Sequence, residues 1–143
     1  MNYKRQAKQL ETFLADEFKN KIPLAILPDK SIVYKKYNIK QNKKGLWALG
    51  YQGGDAIEEF RIKTTASLAA KFYDQTNLKR YNEVKILDTH YWNNNNDAVF
   101  FKYRYENAKD IDKRDLFLWR WEQADHRAKR YKEEITAMFK ANF

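Results

Sequence analysis

Every proline and glycine in this 143-residue chain lies between Pro23 and Gly54: Pro23, Pro28, Gly45, Gly50, Gly53 and Gly54. Residues that interrupt helices or permit tight turns are thus confined to one stretch. Between them stand short apolar runs. The pattern predicts strands at Leu24–Leu27, Ser31–Tyr34, Tyr37–Asn42, Leu46–Tyr51 and Ile57–Lys63, with turns at Pro28-Asp29-Lys30, Lys43-Lys44-Gly45 and Gln52–Asp55. Connections this short require antiparallel neighbours, since a parallel crossover needs a dozen or more residues.

Helical periodicity flanks the stretch on both sides. Tyr3, Ala7, Leu10, Leu14 and Phe18, widened by Phe13, form an amphipathic stripe that should end before Pro23. Thr64 or Thr65 is expected to cap a helix reaching Asp74, with Ala66, Ala69, Ala70 and Tyr73 on its close-packing side. A second helix is expected over Leu78–Trp92, a break at Asn93–Asn96, and a third helix over Asp97–Ala108. The last begins near Asp110 or Asp112 and runs to Ala141. Its Phe117, Trp121, Ala124, Ala128, Tyr131, Ile135 and Met138 form one seam over three heptads. That seam either packs on the other helices or pairs with a partner, a second copy being the concrete case. The fold class is α+β, with residues 1–75 (helix, meander, packing helix) and 76–143 (helical region) in one compact domain.

Charge is unevenly placed. The chain carries 28 basic and 19 acidic residues, yet Lys30, Lys35, Lys36, Lys40, Lys43 and Lys44 lie in a span up to Gly54 that has no carboxylate. Strand alternation puts Tyr37, Ile39, Trp47, Leu49, Tyr51, Phe60 and Ile62 on one sheet face, as a core. It puts Asn38, Lys40, Ala48, Gly50, Glu59, Arg61 and Lys63 on the other. Phosphate backbones are the natural partner of such lysines, so Lys35, Lys36, Lys40, Lys43, Lys44 and Arg61 are the candidate nucleic-acid contacts.

The run Lys44-Gly45-Leu46-Trp47, then Glu59-Phe60-Arg61-Ile62-Lys63-Thr64-Thr65-Ala66, then Ala69-Ala70 and Tyr73-Asp74 carries a resemblance over Tyr37–Asp74. It resembles the three-stranded-sheet-plus-helix domain of plant ethylene-response-type DNA-binding proteins. The resemblance implies a helix packed on one sheet face and a free face entering the DNA major groove. That family reads bases largely with arginines, whereas the matching face here offers Asn38, Lys40, Lys63 and one arginine, Arg61. Lysines meet phosphate as point charges, so the expectation is sequence-tolerant binding. The chain as a whole resembles small uncharacterised proteins of marine tailed phages, which implies no activity.

Catalytic and metal chemistry find little support. There is no cysteine, which excludes disulfides, thiolate zinc sites and a cysteine nucleophile. Of the two histidines, His126 follows Glu122 by one helical turn and adjoins Asp125, while His90 stands apart; neither makes a zinc motif. Asp110, Asp112 and Asp115 fit capping of the last helix better than a calcium loop, which would need a glycine and a closing glutamate. Asp55 with Glu59-Phe60-Arg61 and Lys63 only approximates a magnesium nuclease site. Ser31 and Ser67 have no histidine–acid arrangement, and Gly50–Gly54 lacks the lysine and hydroxyl of a phosphate loop. No catalytic residue, metal or cofactor is assigned.

Two aromatic triplets remain, Tyr103-Arg104-Tyr105 and Trp119-Arg120-Trp121. Helical geometry turns Tyr105 and Trp121 inward and leaves Tyr103 and Trp119 for contact. The reading is a non-enzymatic structural or protein-interaction module, with nucleic-acid binding through the meander as the alternative. Its expected place is the cytoplasm, or a virion assembled there, with no membrane segment.

Overall fold

The computed structural model describes residues 24–143, so the amphipathic helix predicted from Tyr3 to Phe18 lies outside the described residues. Five strands follow in chain order: β1 (Leu24–Ile26), β2 (Ile32–Tyr34), β3 (Tyr37–Gln41), β4 (Trp47–Tyr51) and β5 (Ala56–Phe60). They form one antiparallel sheet in the order β1-β2-β3-β4-β5. Helices α1 (Lys63–Asp74), α2 (Leu78–Asn107) and α3 (Ile111–Asn142) complete the chain. The α+β architecture read from the sequence is therefore present.

Side chains set the turns. Asp29 Oδ1 accepts from the Ser31 amide at 3.0 Å and its hydroxyl at 2.6 Å, closing the β1–β2 connection. Asn42 Oδ1 accepts from the amides of Lys44 (3.0 Å) and Leu46 (3.1 Å), with Gly45 at φ +82° between them. Gly50 answers a closer constraint. The β4–β5 register shifts beside it, and a Cβ there would stand 2.9 Å from the Asp55 carbonyl oxygen.

The core lies between the sheet and α1. Ile32, Ile39 and Leu49 are fully buried, as are Ala66, Ala69 and Ala70 of α1, whose small side chains let the helix backbone approach the strands. Tyr34 meets Phe143 edge-on, with centroids 6.0 Å apart, so the end of α3 returns to the sheet. Lys71 of α1 reinforces this closure by donating to the Asn142 carbonyl. Two residues assigned to the core sit at its margin. Tyr51 is 39% exposed and lies against Tyr37, with centroids 5.4 Å apart, while Ile62 is half-buried.

Three local expectations are corrected. Asn93–Asn96 do not interrupt a helix; α2 runs unbroken from Leu78 to Asn107. Asn94 turns its amide back along the helix to the His90 carbonyl (2.7 Å) and accepts from Arg127 Nε (2.9 Å), and Ala98 is buried one turn later. Packing along α3 here outweighs the weak helix preference of asparagine. The last strand ends at Phe60 rather than Lys63, and neither Thr64 nor Thr65 is the N-cap of α1.

Ile62 occupies that cap position and supplies no side-chain bond. The acceptor comes from α2. Asp88, 3% exposed, takes the Arg61 amide (3.0 Å), the Ile62 amide (3.1 Å) and the Thr65 hydroxyl (2.6 Å). Burial raises its carboxyl above the ordinary 3.8, while the Thr65 hydroxyl and the two amides pull it down.

Replacing Asp88 with Ala should cost about 2–3 kcal/mol in denaturant melts, since it strands buried donors. Because the folded chain holds the Asp88 proton more tightly than the unfolded one, this group's contribution is complete below 3.8 and declines as pH rises through its folded value. Thr65→Val removes a donor that favours the ionised form. A carbon-detected carboxyl titration should therefore show Asp88 raised further. For α2, Asn93→Ala and Asn96→Ala, both at exposed positions, should each stabilise by about 0.5 kcal/mol in thermal unfolding.

Candidate functional site

The sheet holds the predicted basic residues at its two ends. Lys35 and Lys36 form the β2–β3 turn, where Gln52 Nε2 donates to the Lys35 carbonyl (2.6 Å) and the Gln52 amide to that of Lys36 (2.9 Å). Lys35 Nζ lies 2.7 Å from Asp74, and this hydrogen-bonded carboxylate raises the pKa of the lysine. Lys36 Nζ stands over the rings of Tyr37 (5.6 Å) and Tyr51 (6.0 Å). Both therefore have local anionic or ring partners.

Lys43 and Lys44 occupy the opposite turn, separated from the first pair by the length of β3, about 17 Å for five residues. Lys40 lies near this second end. Arg61 does too, since Trp47 pairs with both Gln41 and Phe60. The structure thus groups Lys40, Lys43, Lys44 and Arg61, and leaves Lys35 and Lys36 apart. Carboxylates reach this end as well. Lys40 faces Ala48, which faces Glu59, and Glu59 Oε2 accepts from Asn42 at 2.7 Å. Arg61 rests 5.9 Å from the Trp92 ring.

The face bearing Asn38, Lys40, Ala48 and Gly50 is not covered by α1, α2 or α3. Helix α1 packs on the opposite, buried face, and α3 packs on α1 and α2 and reaches the strands only on that same buried face, where Phe143 meets Tyr34. The seam of α3 is consumed inside the chain. Ala124, Ala128 and Ile135 are buried, Tyr131 stacks on His90 at 5.3 Å, and Trp121 lies 5.8 Å from Tyr105. Phe117 is half-buried in the same row, and Met138 packs against the main core.

Helices α2 and α3 form an antiparallel hairpin held to the body at its base. The body-facing positions of α2 are Tyr81, Lys85, Asp88 and Trp92: Tyr81 meets Phe60, Lys85 Nζ reaches Glu58 at 3.0 Å, and Trp92 meets Arg61. Burial and the charge of Glu58 push the Tyr81 hydroxyl up to about 12. Past Trp92 the hairpin projects as an arm about 22 Å long, fifteen further residues of α2 at 1.5 Å each. Along it Val99 is 63% exposed, Tyr103 63%, Ile111 75% and Trp119 59%. The inward and outward rings of the two aromatic triplets fall as helical geometry requires.

The remaining motifs are dispersed. Asp110 caps α3 through Asp112 N (2.9 Å). Asp55 stands at the start of β5 while Glu59 and Arg61 stand at its other end. Among the described residues no group of three histidine, aspartate or glutamate side chains could hold a metal ion, and no helix is long and apolar enough to cross a membrane.

Sequence reasoning missed Asp88. Its signal was present, because it continues the Tyr81, Val84, Tyr91 side of α2 as an acid on an otherwise apolar face.

The fold defines an α+β protein in which a meander and one packing helix carry a helical hairpin. Beyond that class, no family model, curated protein or solved structure matches the chain.

Lys40, Lys43 and Lys44 are exposed, and none forms an ion pair among the described residues. A Lys40→Ala, Lys43→Ala, Lys44→Ala triple variant should keep wild-type stability within about 0.5 kcal/mol per site in thermal melts.

Proposed function

We propose that the chain is a non-enzymatic structural or protein-interaction module in which the hairpin arm makes the contact. One observation carries this reading: an exposed apolar line leaves the body and runs along the arm. Val99 stands two turns past Trp92, on the same side of α2, because seven residues return the helix to within about 20°. On α3, Ile111 lies within about 40° of the Phe143 direction by the same count, hence on the body side. Trp92 (37% exposed), Val99 and Ile111 thus continue, without cover, the side that the body covers at the base. Apolar side chains aligned beyond a closed core mark a surface made for a partner. The seam from Phe117 to Met138 serves the fold, so a homodimer would form through this line.

A photo-crosslinking residue at Val99 or Ile111, in the cells that make the protein, should give discrete protein adducts. A mass of twice the chain would identify the second copy. Adducts from a Lys43 position alone would contradict the reading.

Nucleic-acid binding through the meander keeps one favourable observation, the Asn38/Lys40/Ala48/Gly50 face that none of the described helices covers, with Lys43, Lys44 and Arg61 at its end. Such binding would be sequence-tolerant and would weaken steeply with salt. A cytoplasmic or virion location, and a phage origin, rest on composition and overall resemblance.

A further inference from the structure

Three contacts fix the register of the hairpin. His90 stacks on Tyr131, Asn94 accepts from Arg127, and Arg120 lies 5.7 Å from the Phe101 ring, so each step up α2 matches one step down α3. The same register sets Tyr103 level with Leu118. By the helical count Tyr103 lies about 20° from the Trp92 direction and Leu118 about 20° from that of Phe143, so both belong to the apolar line. Tyr103 is exposed and Leu118 half-buried. The line thus has a centre, one ring and one leucine at the same height, with Val99 toward the base and Ile111 toward the tip.

Charge flanks that centre in a definite order. On α3, Arg114 stands one helical turn before Leu118 and Glu122 one turn after it, about 20° and 60° from the Phe143 direction. Both are exposed. The ion pairs among the described residues join Lys35 to Asp74, Arg80 to Glu83, Lys85 to Glu58 and Lys129 to Asp125, so neither Arg114 nor Glu122 is paired there within 4.0 Å. The Arg114 guanidinium rests 4.9 Å from the Tyr105 ring, which holds it over the arm. The row therefore reads cation, leucine, anion. Turned end for end it reads anion, leucine, cation, and so complements itself. A two-fold axis through Leu118 and Tyr103 sets Arg114 of each copy against Glu122 of the other. Ile111 of one copy then falls beside Asp125 of the other, one turn from Trp92, and that carboxylate is already paired with Lys129 at 2.9 Å.

We propose that two copies of the chain pair arm against arm, antiparallel, through the side bearing Val99, Tyr103, Ile111 and Leu118, with an Arg114–Glu122 ion pair on each side of the axis. This rests on the reading of the arm as the contact surface, and adds the partner and its register. The seam from Phe117 to Met138 stays inside each chain, so pairing needs no opening of the hairpin. Antiparallel arms carry the two bodies to opposite ends, clear of each other.

Charge inversion on the full chain tests this, read by sedimentation velocity over a range of concentrations. The wild type should show a dimer whose share rises with concentration. Arg114→Glu and Glu122→Arg should each weaken dimerisation by about tenfold or more, because each sets like charges against one another at both contacts. An equimolar mixture of the two variants should restore the dimer, since every facing pair is then opposite in sign, and the double variant should restore it alone. A chain without cysteine allows an independent check if a variant unfolds. With a short bis-maleimide linker, Leu118→Cys should join to its own copy, whereas Arg114→Cys should join to Glu122→Cys in preference to itself. A chain monomeric at every concentration, a dimer indifferent to the inversions, or a mixture that stays apart would each overturn the proposal. Discrete adducts from Val99 or Ile111 at a mass other than twice the chain would then leave the arm as the contact surface for another protein. Absence of any adduct would remove that reading too.

Discussion

The amides of Arg61 and Ile62 leave the sheet after β5 and enter the first turn of α1, where the local sequence provides no side-chain acceptor. Asp88 supplies it from 26 residues further along the chain. A carboxylate so deeply buried is costly, and here two amides, the Thr65 hydroxyl, the charge of Arg61 and the positive end of the α1 dipole offset part of the cost. The same contacts decide where β5 stops, how α1 begins and which side of α2 faces the sheet. Tyr81, Lys85 and Trp92 reach the body because they share the side that Asp88 fixes.

That fixation gives the hairpin its geometry. A helix of 30 residues is about 45 Å long, and only its first half has a sheet and helix to pack on. Among the described residues the second half finds its cover in α3, along the row that includes Ala98, Ala124 and Ala128. Two sides of the arm are left without body contacts and differ in chemistry. The side continuous with the body interface is apolar, at Val99 and Ile111. The opposite side is charged, at Asp97 and Arg104. A sequence that buried all its aromatics would need a thicker body than five short strands and α1 provide.

Much of the fold was legible in the residues. Confinement of glycine and proline to Pro23–Gly54 announced the meander, and alternation separated Ile39 and Leu49 from Asn38 and Lys40 correctly. Tyr51 was misplaced because alternation reports side and not depth, and the sheet ends at that ring. The break at Asn93–Asn96 was misread because local preference carries a few tenths of a kcal/mol per residue, less than packing against a neighbouring helix supplies. The candidate sites were less legible. Lysines grouped in sequence from Lys35 to Lys44 are divided in space by the length of β3. Val99, Tyr103, Ile111 and Leu118, scattered in sequence, are brought to one side by a hairpin whose register no local pattern reveals.

Amide hydrogen exchange, resolved by residue, tests most directly the claim that Asp88 anchors a hairpin whose distal half is held only by its partner helix. The account predicts that the Arg61 and Ile62 amides exchange as slowly as the core of α2 around Val84–Leu87. Val99–Tyr105 and Leu116–Trp121 should open through a separate, less costly fluctuation. Rapid exchange at Arg61 and Ile62, or equal protection from the base of the hairpin to its tip, would contradict it.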